Sequence, residues 1–397
     1  MARIHLDHNA TTPLRAEARE ALLGALDALA GNPSSVHAGG RAARAMLDDA
    51  RERIAGALGV LEDDLIFTSG GTEADNLALF GTLRAADAGS APRANAPAGA
   101  VARAGLVTTL VEHSAVLEAA HQLAREGHPV RFVGVGPSGR PDLDEVVRAA
   151  EGAALVSVMA ANNEVGCTTD IGALVAALRE RYGARAPRVH TDAVQALGKV
   201  PLDLAGAGVH LASFSAHKVG APVGVGLLVR RDRAPLQPML FGGGQEAALR
   251  PGTENVAAVH AFAVALELAV AEQAEFATRA RRHVENLWMG VQNAVPGARI
   301  LGPTLDDPER LPNTLSVLLP ETDGRTLITR LDLAGLEGSA GSACASGSLE
   351  PSHVVLALGQ GRAEARAALR LSTGHATHDA EITHAVEILS RTLGKAP

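Results

Sequence analysis

A chain of 397 residues is longer than one compact core usually holds, so two domains are expected. Its 47% hydrophobic and 20% charged residues suit a globular protein, but with only seven Phe, one Tyr and one Trp the core must be built from Ala, Leu and Val. Few stacking rings, a formal charge of -8 and no basic block argue against a nucleic-acid or polyphosphate partner.

In chain order, Met-Ala-Arg-Ile-His-Leu-Asp has no basic-then-apolar leader. No later run of about 18 uncharged apolar residues offers a membrane span, and a cytoplasmic location is expected. Arg41–Leu58 reads as a helix, Asp64–Thr68 as a strand and Thr72–Arg84 as a helix. Residues 84–105, rich in Ala, Gly and Pro, read as a surface excursion. Strands follow at Gly105–Thr109, Val130–Val135, Ala154–Met159, Val189–Thr191, Leu211–Ser213 and Gly226–Val229, with helices at Ser114–Arg125 and Ile171–Arg181. Strands alternating with helices predict an α/β unit with a mostly parallel sheet. One long helical pattern, Glu254–Asn293, leads into a smaller α+β region with strands at Thr314–Leu318 and Leu369–Ser372. The expected division is a large domain over 14–255 and a smaller one formed by 1–13 and 256–397.

Four features stand at strand ends. Ser69-Gly-Gly-Thr72-Glu-Ala-Asp-Asn76 joins a strand to a helix; its glycines let N–H groups approach an anion at the helix N-terminus, which suits one phosphate. Glu112-His113 offers an imidazole that can stack on a ring and carry protons near neutral pH. His190-Thr-Asp192-Ala-Val-Gln195 offers an aspartate that can keep a pyridinium nitrogen protonated. Ser215-Ala-His217-Lys218 supplies an amine. Taken singly, a capped turn, a structural histidine, an N-cap aspartate and a surface lysine are the common alternatives.

In that order the features resemble the aminotransferase class V family of fold type I pyridoxal-phosphate enzymes, and within it the cysteine desulfurases. The resemblance extends to Leu6-Asp-His-Asn-Ala-Thr-Thr12, Gly31-Asn-Pro-Ser-Ser-Val-His37, Asn162-Asn-Glu-Val-Gly166, Gly242-Gly-Gly-Gln-Glu246 and Arg250-Pro-Gly-Thr-Glu-Asn255. It continues through Gly338-Ser-Ala-Gly-Ser-Ala-Cys344-Ala-Ser-Gly-Ser-Leu-Glu-Pro-Ser-His353. It implies pyridoxal 5'-phosphate on Lys218, its phosphate held by Gly71, Thr72, Ser215 and His217. It implies Thr253 reaching the phosphate of a neighbouring subunit in a homodimer. Asp192 would pair with the pyridine nitrogen, Gln195 with the ring hydroxyl, and His113 would stack on the ring. Asn163 would contact cofactor or substrate, and Arg370 would grip the substrate carboxylate.

Cys344 decides the subfamily. It lies among Gly, Ala and Ser, a composition with little to bury and freedom to move. The resemblance makes it the nucleophile that takes sulfur from L-cysteine as a persulfide, leaving L-alanine. The acceptor would be an iron–sulfur scaffold or a sulfur carrier for tRNA thiolation. No resident metal is expected, with Cys344 a shared iron–sulfur ligand alongside a scaffold. Cys167 has no matching role. A selenocysteine lyase, a class V aminotransferase and a non-catalytic sulfur-relay protein are the alternatives. Ala247, Val223 and His375 depart from family positions commonly held by Arg, Lys and Arg.

Overall fold

Strands with apolar side chains on both faces need cover on both, and layered α/β packing provides it. The computed structural model describes residues 3–89, 103–320, 322–341 and 351–394. Its strands are β1 (Ile4–His5), β2 (Leu65–Thr68), β3 (Gly105–Thr109), β4 (Val130–Val133), β5 (Ala153–Ser157), β6 (Arg188–Asp192), β7 (Leu211–Ser215), β8 (Gly226–Arg230), β9 (Arg299–Ile300), β10 (Thr314–Leu318), β11 (Leu336–Glu337) and β12 (Ala368–Ser372). Its helices are α1 (Ala16–Ala28), α2 (Ala38–Leu58), α3 (Gly71–Gly89), α4 (Ser114–Arg125), α5 (Leu143–Ala149), α6 (Ile171–Tyr182), α7 (Val256–Ala271), α8 (Gln273–Ala294), α9 (Gly324–Leu333), α10 (His353–Ala357), α11 (Arg362–Ala365) and α12 (Asp379–Leu393). No single helix among the described residues is long and apolar enough to cross a membrane.

The main sheet has seven strands in the order β2-β8-β7-β6-β5-β3-β4. Strands β3 to β7 run parallel, and β8 runs antiparallel to both its neighbours, β2 and β7. Successive side chains alternate between faces. Ile66, Leu106, Leu155, Leu211 and Leu228 join one core with α3 and α4. Their neighbours Phe67, Val107, Val156, Ala212 and Leu227 join another with α2, α6 and α7. A smaller unit pairs β12, β10 and β9 antiparallel and β1 with β11 parallel. Its core gathers Leu6, Val284, Leu287, Leu315, Val317, Leu371 and Ile388.

Two expectations change. The helical pattern over Glu254–Asn293 is two helices, α7 and α8, bent by 69° at Glu272. The two halves serve different cores: α7 buries Val259, Phe262 and Leu266 under the main sheet, and α8 buries Val284, Leu287 and Val291 in the smaller one. One straight helix cannot face both. Helix α3 also runs on to Gly89, past the expected start of the surface excursion, and residues 90–102 lie outside those described.

Candidate active site

Because β2 and β7 both oppose β8, the carboxyl ends of β2, β3, β5, β6 and β7 lie at one edge of the sheet. Open α/β sheets bind ligands at that edge. Each expected group follows one of these ends. Gly71 and Thr72 open α3 after β2, His113 caps α4 after β3, and Asn163 follows β5. Asp192 ends β6 and Ser215 ends β7. A single turn, Ala216–Val219, then presents His217 and Lys218.

These residues, with Gln195 and with Arg370 from β12, line one cavity of about 230 Å³. One expected residue is elsewhere. Thr253 does not line the cavity; it is exposed and accepts a weak hydrogen bond from Asn32 Nδ2 at 3.5 Å. Cys344 lies outside the described residues, whose nearest members on either side are Gly341 and Pro351. Ser352, next to Pro351, donates to the buried Glu164 at 2.5 Å, and His353 Nε2 meets the Glu112 carbonyl at 2.9 Å.

Lys218 Nζ donates to the carbonyls of Asn9 and Ala10 at 2.7 and 2.6 Å. Asp192 is buried; burial pushes its carboxyl up, while His113, the Val194 N–H and Lys218 pull it down, and the net direction is up. Beneath it lies Asp75, also buried and pushed well up by burial and by Asp192. One oxygen of each carboxyl and a ring nitrogen of His113 lie within 4.8 Å of one another. Burial, followed by the charges of Lys218 and Lys199, lowers His217 to about 4. Arg370 is buried, held by the Asn163 carbonyl at 3.1 Å and by Asp7 at 2.5 Å.

The cavity fits pyridoxal phosphate on three counts. A buried carboxyl disfavoured as a free anion suits a cationic ring nitrogen. The N–H groups of the first turn of α3, with Thr72, Ser215 and His217, suit a phosphate. Gly71 leaves room there: a Cβ would meet Val194 Cγ2 at 3.0 Å and Ser215 Cβ at 3.5 Å.

Four site residues had been given no role. Asn9, Lys199, Asp75 and Glu112 are all buried; Asn9 and Asp75 line the cavity, Lys199 donates to its Gln195, and Glu112 accepts from the N–H of its Met159. Asn9 and Asp75 stand inside motifs quoted for the resemblance. Lys199 follows Gln195 by four residues in an otherwise apolar run, a spacing that hints at contact. Cys167 is buried and its thiol is pushed up to about 12 by that burial, in keeping with a bystander.

The aminotransferase class-V family matches residues 4–384. A cysteine desulfurase of Cereibacter sphaeroides is 42% identical over 98% of this chain and 95% of its own length. An IscS-like cysteine desulfurase of Mycobacterium tuberculosis is 38% identical over 99% of this chain and 96% of its own. A solved structure described as a NifS-like protein aligns with a TM-score of 0.88 at 34% identity, covering 98% of this chain and 99% of that one.

Proposed function

The chain belongs to the aminotransferase class-V family, among its cysteine desulfurases, and on that premise we propose that it moves the sulfur of L-cysteine to Cys344. The observation that carries this reading is the single cavity into which Lys218, Asp192, His113 and Arg370 all face.

The enzyme depends on pyridoxal 5'-phosphate, which supplies an electron sink for the carbanion left when the substrate loses its Cα proton. In our reading Gly71, Thr72, Ser215 and His217 hold the phosphate. Asp192 would accept from the pyridine N–H, Gln195 would donate to the ring hydroxyl, and His113 would stack on the ring. Lys218 would hold the cofactor through its amine, and the same amine would take up the substrate Cα proton. The Arg370 guanidinium, fixed by Asp7 and the Asn163 carbonyl, grips the substrate carboxylate, and Asn163 borders substrate or cofactor. The Cys344 thiolate would attack the substrate sulfur; a sulfur–sulfur bond forms as the carbon–sulfur bond breaks, the bonding pair stays on the substrate Cβ, which takes up the proton lost from the substrate thiol, Lys218 returns the Cα proton, and alanine leaves.

Thr253, exposed and away from its own cavity, reaches the phosphate of a second subunit, so the working form is a homodimer. The persulfide passes to an iron–sulfur scaffold or a sulfur-carrier protein in the cytoplasm, where reducing conditions keep Cys344 a thiol between turnovers.

The test is a single turnover with sulfur-labelled cysteine. Wild-type protein should show a visible cofactor band and hold labelled sulfur on Cys344. Lys218→Ala should lose the covalently attached band and at least ~100-fold in rate. Cys344→Ala should keep the band but hold no label; sulfide release at the wild-type rate from that variant would rule out the persulfide route.

A further inference from the structure

Lys199 is buried, 6% exposed, yet no carboxylate bonds it among the described residues. An amine buried in this way is costly unless its N–H groups are used. Here Nζ donates to Gln195 Oε1 at 2.6 Å and to Asn9 Oδ1 at 3.3 Å. The Asn9 amide is itself pinned: its Nδ2 donates to the Asn163 carbonyl at 3.1 Å and to Thr314 Oγ1 at 2.8 Å. Gln195 Nε2 donates in turn to the Asn9 carbonyl at 2.9 Å, the oxygen that also receives Lys218 Nζ.

We propose that Lys199 is a positioning residue that locks the Gln195 amide with its N–H end toward the cofactor's ring hydroxyl. The two ends of an amide have nearly the same shape, so what orients them is the hydrogen-bond network. With Oε1 taken by Lys199, and one N–H by Asn9, the second N–H is the hydrogen left for the ring oxygen. Burial, then repulsion from Lys218 and Arg370, pushes the Lys199 amine well below its ordinary range; neutral or charged, it still donates both bonds. Among the described residues, the other titratable groups near it are His8 and His217, with His375 lining the same small cavity behind Lys218, across which Arg15 and Glu272 pair with each other at 2.9 Å. The inference rests on the reading that Gln195 bonds the ring hydroxyl.

A donor to the ring oxygen stabilises its anionic form most once the neighbouring cofactor–Lys218 linkage has lost its proton. It therefore lowers the pH at which that proton leaves, a midpoint visible in the absorbance of the holoenzyme. Lys199→Met, which lets the amide turn over, should raise the midpoint by roughly one pH unit. Lys199→Gln, which keeps an N–H donor, should raise it less, and serves where the Met variant folds poorly. Gln195→Leu should raise it as Lys199→Met does, and the double variant no further. An unchanged midpoint in both Lys199 variants, beside a raised one in Gln195→Leu, overturns the positioning role and leaves the Gln195 reading standing. Additive shifts in the double variant overturn it too, because Lys199 would then act by charge alone. An unchanged midpoint in Gln195→Leu removes both readings.

Discussion

Arg370 Nη2 and Asp7 Oδ1, 363 residues apart, meet at 2.5 Å with the arginine side chain 1% exposed and the aspartate 19%. Asp7 thus sets the direction in which the guanidinium points. Asp7→Ala leaves a buried cation short of its anion, and should cost about 3 kcal/mol in urea unfolding. Arg370→Lys loses the planar fork, and should raise KM for cysteine about 30-fold, the equivalent of ~2 kcal/mol, with the cofactor spectrum intact. A variant whose kcat alone falls would assign Arg370 elsewhere.

Glu112 gives stability a pH slope. Burial raises its carboxyl from 4.5 to about 8, against the pull of Thr109 and the Met159 N–H. The folded state therefore keeps a proton that the unfolded chain releases. The contribution is complete below pH 4.5 and is lost as pH rises through about 8. Glu112→Gln, neutral at every pH, should flatten that decline in urea midpoints taken across the range. His8 and His190 work on the acid side. Burial holds both at about 3, so their contribution is present above pH 6.5 and is lost as pH falls toward 3. Glu112→Gln should leave that acid limb unaltered.

Gly341 and Ser352 lie close together, on either side of the interval in sequence that contains Cys344. Gly341 has φ 112°, and a Cβ there would meet Ser352 Cβ at 3.2 Å. Ser352 also caps α10 through the Val355 N–H while donating to Glu164. Ser352→Ala should cost about 2 kcal/mol, from the lost cap and an under-bonded buried carboxyl. Gly341→Ala combines backbone strain with crowding, and should slow the labelling of Cys344 in a single turnover while the cofactor band forms normally. Labelling at the wild-type rate would show that this junction does not set how Cys344 is presented.

Cys167 should be chemically silent. With its thiol at about 12, the reactive thiolate is scarce at neutral pH. Iodoacetamide should alkylate it only after denaturation, and Cys167→Ala should retain full sulfur transfer.

The residues readable in sequence are those at strand ends. Lys218 and His113 follow short, largely apolar strands and Asp192 ends one, so their place at the sheet edge comes from a pattern of strands and breaks. Arg370 was found only through a motif. Asn9 and Lys199 follow no such strand end, and Glu112 beside His113 reads as an ordinary carboxylate, because burial by distant elements is what makes all three part of the site. Asn9, for example, touches residues 195, 199, 218, 313 and 314. The bend at Glu272 was hidden for a related reason. Helical periodicity runs through it, and only the existence of two cores decides that the chain must turn.

The hydrogen bonds of residues 7 to 10 also bear on how the protein is made. Asn9 receives Lys218, its N–H donates to Ser372 Oγ, and Asp7 holds Arg370. A growing polypeptide emerging from the ribosome can complete the main sheet well before Arg370 and Ser372 are translated. The surroundings of Lys218 and of Arg370 come together only when this late strand closes over the early one. Cofactor captured before that moment would meet a half-built pocket, so loading is expected to follow translation, and a chain stopped before residue 370 should accumulate in the apo form.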